Sequence, residues 1–440
     1  MTEPIAVSTP RPADVLSELI RFDTTNPPGN EGPCLQYVDT LFAARGVRGT
    51  VLSRDGRPNL VVRVKGRGEA PPLLMQGHVD VVTTVGQDWS RAPFGGEQVD
   101  GWVWGRGALD MKGGVAMMIT ALLRCLDEGR PPAGDVILVC LADEEAGGVH
   151  GAKFLVEEHA ALFEGVRHGL GEGGGVSQQI AGRTFFPVMV AEKRACRLRL
   201  TVRGPGGHAS RRHQGGTMSK LAALLAALDR ARMPVRVTEV ADRFVRGIAE
   251  GVEPAYGERL LGLLDPSRTD ALLDEMGPQG ATFDPILHNT VNATVVRAGG
   301  KINVIPSEAV VDADGRVLPG VVADEFVAEV RAVVGPEPEI EVTNQGPMTA
   351  PAEFGDMYRL LCDVLAELRP GARPVPVMLS GATDQRHFAR LGIVGYGYLP
   401  LLMEGGTEWQ TVHAADERVP AAALDFGADA LYRVVQRYRG

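Results

Sequence analysis

The constraint that most limits this chain is a set of short apolar runs that end on acids and histidine. PLLMQGHVD (72–80) and DVILVCLADEEAGG (135–148) are β-rich runs closed by turn residues. Between them, WVWGRGALDMKGG (102–114) gives way to VAMMITALLRCL, an apolar helix pattern. Runs this short and this apolar, bounded by Gly and Pro, predict strands buried in a sheet, alternating with helices. His78 and Asp80 then fall at or just past a strand end, Asp110 in the loop before a helix, and Glu144 and Glu145 at the end of a second strand.

These residue types at these places carry chemistry. Residues two apart on a strand face the same way, so Asp80 can accept from one ring N–H of His78 while the other ring nitrogen binds a metal. A turn histidine with a capping Asp accounts for that pair equally well in isolation. Asp110, among glycines, has two oxygens to share between cations, the alternative being an N-cap Asp. Adjacent carboxylates at a strand end point in different directions, so one can hold a metal while its neighbour faces the water that attacks. Like charges buried this close would not persist without a cation. One histidine and four carboxylates make a donor set for hard or borderline divalent metals with acid and base groups to spare, which points to a metallohydrolase.

At 440 residues the chain exceeds the size at which a single core keeps growing, so two domains are expected. A net charge of −10 with no basic stripe argues against nucleic acid or an anionic membrane as partner. The five cysteines are odd in number and show no CxxC spacing, so neither a disulfide framework nor a thiolate zinc site is suggested, and a reducing compartment fits. The opening MTEPIAVSTPRPADV lacks a basic and an apolar leader segment, and no run is apolar enough to span a bilayer, so a cytoplasmic protein is expected.

Further along, the turn-rich DTTNPPGNEG follows a helix over residues 12–22 and is placed to line a cleft. Glu172 sits alone in GLGEGGG. From CRLRLTVRG onward the pattern alternates, as expected for a half-exposed sheet. His208 lies in the turn GPGGHASRRH, Asn303 in GGKINVIP and Arg316 in a strand with Val311, Ala313, Gly315 and Val317 on its dry face. Helical patterns fill 236–285, and mixed α/β character returns after about 318. The order predicts a first part of a main domain over 1–196, an inserted domain over 197–317 and the second part over 318–440.

HVDVV, GRGALDMKGG, DEEAGG, GLGEGGG, NVIP, GATD and VHAADERV, in this order and at these intervals, resemble the M20 family of zinc-dependent peptidases and N-acyl amino acid deacylases. The resemblance covers roughly residues 10 to 437, and its first and last segments look closest to the acetylornithine deacetylase and carboxypeptidase S branches, with succinyl-diaminopimelate desuccinylase among the relatives. It implies a central mixed sheet flanked by helices forming a dinuclear-metal catalytic domain, with an inserted smaller α+β, ferredoxin-like dimerisation or lid domain. It also implies two divalent cations per subunit, zinc or else cobalt or manganese, one on His78, Asp110 and Glu172 and the other on Asp110, Glu145 and His413. Glu144 matches the general base and Asp80 the residue orienting His78. His208, Asn303 and Arg316 match substrate-binding residues, with His208 reaching the partner subunit of a homodimer, and Gly381 and Thr383 offer backbone N–H groups to a substrate carboxylate. The implied reaction is amide hydrolysis in N-acyl amino acids or short peptides. A dipeptidase or aminopeptidase of the same family, and a non-catalytic amino-acid binder, are the alternatives.

Overall fold

The computed structural model describes residues 8–403 and 408–440. The chain forms two compact units, one of Met1–Val190, Ala352–Val377 and Thr383–Gly440, the other of Ala191–Pro351 and Met378–Ala382.

The larger unit is built on a nine-stranded sheet. Across it the strands run Thr50–Arg54, Arg57–Val64, Val136–Leu141, Leu73–His78, His168–Gly171, Val394–Gly397, Arg183–Glu192 and Arg373–Leu379, with Gln178–Ile180 paired to Arg183–Glu192. Val136–Leu141, Leu73–His78, His168–Gly171 and Val394–Gly397 are mutually parallel, so their carboxyl ends lie along one rim. VILVCL and LLMQGH are buried throughout, as parallel strands covered on both faces must be. One face presents Leu74, Ile137, Val139 and Leu141 to Leu155, Phe163, Phe388 and Ile393. Each such side chain, fully buried, contributes about 1.5–3 kcal/mol. Helix Lys112–Asp127, apolar on almost every side, contacts Leu73–His78 and is itself covered by helices Pro12–Arg21 and Ala421–Arg437. A helix hydrophobic all round has to be enclosed in this way. Helix Gly32–Ala43 was not anticipated from the sequence; Pro33 opens it, and Leu35, Val38 and Phe42 are its buried stripe. Among the described residues, no helix is long and apolar enough to cross a membrane.

The smaller unit runs strand Arg194–Arg203, helix Thr217–Arg230, strands Thr290–Ala298 and Glu308–Val317, helix Ala323–Val334, strand Glu339–Gln345. Its antiparallel sheet has the order Thr290–Ala298, Glu308–Val317, Arg194–Arg203, Glu339–Gln345, the ferredoxin-like arrangement. Because Glu339–Gln345 pairs with Arg194–Arg203, the unit continues past Val317, where the sequence pattern placed its end, to Pro351. Helices Glu239–Ala249, Pro254–Leu261 and Thr269–Met276 fill the 236–285 segment. Buried Lys193 ties the end of that segment to the sheet by donating to the carbonyls of Pro285 and His288, at 3.0 and 2.8 Å.

The alternation in Glu308–Val317 holds residue by residue: Val311, Ala313, Gly315 and Val317 are buried, while Asp312 and Asp314 pair with Arg199, Arg297 and Arg316 on the other face. Gly315 is the position where a side chain does not fit. A Cβ there would lie 2.3 Å from the Cys196 carbonyl oxygen and 2.6 Å from the ring of buried Phe326. Gly315→Ala is therefore expected to destabilise the chain by about 1–3 kcal/mol through overpacking. Denaturant unfolding measures this, and an unchanged midpoint would show that the ring and strand give way freely.

Candidate metal centre

The parallel strands deliver their acids and histidine to one rim. His78 is the last residue of Leu73–His78, Glu144 and Glu145 open a 3₁₀ turn just past Val136–Leu141, and Glu172 directly follows His168–Gly171. Asp110 lies two residues before the helix that starts at Lys112, and His413 lies in the loop between Glu408–Thr411 and Arg418–Pro420.

Two groups of donors result, and Asp110 belongs to both. His78 Nε2 is 3.1 Å from Asp110 Oδ1 and 3.7 Å from Glu172 Oε2. His413 Nε2 is 3.1 Å from Asp110 Oδ2 and 3.3 Å from Glu145 Oε1. In each group the donor atoms all lie within 4.8 Å of one another. A ring nitrogen carries at most one proton, so neither Nε2 can donate well to two carboxylates. A cation at the middle of each group removes that conflict. Ligands at about 2.0–2.2 Å around a tetrahedral ion sit about 3.4 Å apart, and each histidine nitrogen lies 3.1–3.7 Å from its carboxylates. The residues present thus fit two divalent ions.

The surrounding contacts fix how the donors point. His78 Nδ1 lies 2.9 Å from the backbone carbonyl of Asp80, which places the ring proton there and leaves the Nε2 lone pair for a metal. The Asp80 carboxylate, expected to take that proton, is farther away at 3.5 Å. It is occupied instead by the backbone N–H groups of Glu144 and Glu145, at 3.1 and 3.2 Å. Asp110 is held through its own loop: buried Glu417 accepts from the backbone N–H groups of Gly107, Leu109 and Asp110 and pairs with the Arg106 guanidinium. Sequence reasoning did not single out Glu417, although it lies inside VHAADERV; its burial was the missing information.

Burial and crowding set the electrostatics of these carboxyls. Burial, then the charges of Glu172 and Asp384, push the Glu144 carboxyl well above the usual range, against the pull of His78 and Arg386. Burial raises Glu172 as well, opposed by His78 and reinforced by Asp110 and Glu145. Contacts with Asp110 and Glu145 raise His413 to about 10. Asp384 is almost wholly buried and neither oxygen has a hydrogen-bond partner among the described residues. Burial pushes it up to about 7, against Arg386 and His78. Arg386 Nη1 lies 3.5 Å from Glu144 Oε1. Asp384 is the last residue of the GATD motif and Arg386 lies two residues on; neither was picked out individually from sequence.

The remaining residues expected at the site divide between the units. In the smaller unit, His208 and Asn303 sit on adjacent limbs of one ribbon, where Gly207–His208 pairs with Val304–Ile305 and the Ala209 N–H donates to the Asn303 carbonyl at 3.1 Å. Arg316, in the same unit, donates through Nε and Nη2 to Asp314. Gly381 belongs to that unit's short return segment and Thr383 to the larger unit. Thr383 is buried, its hydroxyl accepting from the Gln385 N–H and its carbonyl from Arg386.

Comparison with known proteins agrees with this geometry. The profile of a family described as peptidase family M20/M25/M40 matches residues 74–437. A succinyl-diaminopimelate desuccinylase of Paracoccus denitrificans (strain Pd 1222) is 30% identical, with 98% of each chain covered. A probable carboxypeptidase S-like protein 2 of Dictyostelium discoideum is 27% identical over 86% of this chain and 74% of its own. Among solved structures, an M20 family metallo-carboxypeptidase from Sulfolobus solfataricus superposes with a TM-score of 0.69 at 17% identity, covering 97% of this chain and 99% of that one. The chain belongs to peptidase family M20/M25/M40 and is a metal-dependent hydrolase of amide or peptide bonds.

Proposed function

We propose that this enzyme uses two zinc ions to hydrolyse the amide bond of an N-acyl amino acid, or the last bond of a short peptide, and releases a free amino acid. The observation that carries the proposal is the Asp110 carboxylate, whose two oxygens serve two separate donor groups while Glu144 stands beside them without belonging to either. The names of the relatives, a desuccinylase and a carboxypeptidase S-like protein, favour release of an amino acid with a free carboxylate.

His78, Asp110 and Glu172 would hold one cation and Asp110, Glu145 and His413 the other; bound there, the pair supplies an acidified water and a polarised carbonyl. Cobalt or manganese would suit the same oxygen and nitrogen donors. Glu144 takes the proton of the attacking water on a carboxylate oxygen and delivers it to the leaving amine nitrogen. Asp80 keeps the Glu144–Glu145 backbone in place through its two oxygens. His208 donates to the developing oxyanion through Nε2, while its Nδ1 faces the Ser210 hydroxyl at 2.8 Å and the Ser210 N–H at 3.2 Å. Asn303 and Arg316 hold the product carboxylate, with the backbone at Gly381 and Thr383 as additional donors.

The same reading makes the enzyme a homodimer in the cytoplasm. Thr290–Ala298 is an edge strand of the smaller unit's sheet and exposes Val295 and Val296, the kind of edge that pairs with a second copy. The cysteines are free thiols, in keeping with a reducing compartment.

A screen of N-acetyl, N-succinyl and long-chain N-acyl amino acids against dipeptides, with zinc, cobalt and manganese, should find turnover of an N-acyl amino acid that chelation abolishes. Activity in enzyme shown by elemental analysis to hold no metal would end the proposal. Glu144→Gln should keep both metals while kcat falls by about 10² to 10⁴, whereas Glu145→Gln should lose metal; the reverse pattern would exchange their roles. Glu144→Ala and His208→Ala should each be nearly inactive alone. If His208 serves the partner's site, half of the randomly reassociated dimers are mixed and carry one intact site, so roughly a quarter of wild-type activity should return. Subunit exchange without recovery would place His208 within its own chain or outside the reaction.

A further inference from the structure

The loop TTNPPGNE near the start of the chain has no part in the donor groups, yet its side chains run directly beneath them. Asn26 is buried, and its Nδ2 donates to Asp80 Oδ2 at 2.8 Å and to Asp143 Oδ1 at 3.3 Å. Its Oδ1 accepts from Arg57 Nη1 at 3.3 Å, and its backbone N–H donates to the Val81 carbonyl at 2.9 Å. With carboxylates on one side and a guanidinium on the other, the amide has a single orientation that satisfies every contact. Arg57 is fixed in turn by Glu31, which is completely buried and pairs with it through both carboxylate oxygens. Gly29 lets the guanidinium pass: its φ is +80°, and a Cβ there would lie 2.2 Å from Arg57 Cζ. Asn26, Gly29 and Glu31 of this one loop therefore converge on Arg57.

The hub of the network is Asp80, whose oxygens accept from the backbone N–H groups of Glu144 and Glu145 as well as from Asn26. Glu144 and Glu145 are neighbours in sequence, so the peptide between them decides which carboxylate turns towards the donor group and which away from it. Asp143, just before them, is in the left-handed region with φ +72° and is held by Asn26 and Arg57 through Oδ1 and by the His150 N–H through Oδ2. We infer that Asn26, locked by Arg57, is a positioning residue for the metal centre: it sets the Asp80 carboxylate and the Asp143 turn, and through them the separate directions of Glu144 and Glu145.

The inference rests on the dinuclear reading above, and cobalt binding separates the two. The metal-stripped full chain is titrated with Co(II) and followed by visible absorption, then assayed at saturating cobalt on its best N-acyl amino acid. Asn26→Ala should bind cobalt about 10- to 100-fold more weakly, the loss typical when a residue supporting metal ligands is removed. It should also shift the absorption bands and lower kcat by a similar factor, with KM within about twofold because the residue touches no substrate. Asn26→Asp keeps the side-chain shape but puts a third carboxylate where a donor is needed, and should give the same losses at a temperature where circular dichroism shows the metal-free chain still folded. In an Asp80→Asn background, Asn26→Ala should cost clearly less than it does in the wild type, the remainder acting through Asp143. Wild-type cobalt affinity, spectrum and kcat in Asn26→Asp would overturn the inference, as would full additivity with Asp80→Asn. Failure of the wild-type chain to bind cobalt would instead overturn the dinuclear reading.

Discussion

Each oxygen of Asp110 touches a histidine nitrogen, and each of those nitrogens also faces a second carboxylate. Hydrogen bonding alone leaves one carboxylate in each group without a proton to accept, in a site where burial costs several kcal/mol per uncompensated charge. Cations resolve both difficulties, and much of the larger unit can be read as the means of keeping Asp110 where two of them can share it. Glu417 accepts from the N–H groups of Gly107, Leu109 and Asp110 in the Asp110 loop and pairs with Arg106. Buried Lys112, two residues on, donates to the carbonyls of Leu19 and Phe22, so the start of the helix is pinned from the opposite side. The loop is held by charge-assisted bonds at both ends, which are the stronger kind.

How much of this could be read beforehand depended on whether the signal was local. The buried strands and the helix after Asp110 were readable because a short apolar run or a helical stripe is complete within itself. The acids at the strand ends were readable for the same reason, since the end of a strand is a sequence position. The far boundary of the smaller unit was not, because it depends on Glu339–Gln345 pairing with a strand far earlier in the chain. The partners of Asp80 were not readable either. HxD spacing correctly brings Asp80 near His78, but cannot reveal that the backbone carbonyl makes the closer contact while the carboxylate is claimed by Asn26 and two peptide N–H groups. Glu417, Arg57 and Glu31 are ordinary charged residues in sequence; they become informative only as charges with little or no exposure.

Topology explains why distant segments meet at one rim. In a parallel sheet every strand ends on the same side, and ligand-binding residues collect just beyond the carboxyl ends. Val136–Leu141, Leu73–His78 and His168–Gly171 are consecutive neighbours in the sheet although not in sequence, which sets His78 between the Glu144–Glu145 turn and Glu172. The Asn26 loop reaches the same rim because its backbone bonds to Val81, just past the end of the central strand. An antiparallel sheet would send alternate strand ends to opposite sides and divide the set.

The two units obey different rules, and this bears on how the enzyme can change. His78, Asp110, Glu145, Glu172 and His413, together with Glu144 and Asp80, belong to the larger unit, where Asp80 and the Glu144–Glu145 turn depend on buried, mutually satisfied polar contacts. A substitution there leaves an unpaired charge or an orphaned N–H, which is among the costliest of defects. His208, Asn303 and Arg316 belong to the smaller unit, where His208 and Asn303 are exposed on a ribbon and Arg316 lies on the wet face of a sheet whose structural demands fall on Val311, Ala313, Gly315 and Val317. Residues on such a face can be exchanged without disturbing the dry one, because alternation separates the two sets. The wet positions of the smaller unit can therefore be exchanged more freely than the buried polar network around Asp80, whose members satisfy one another.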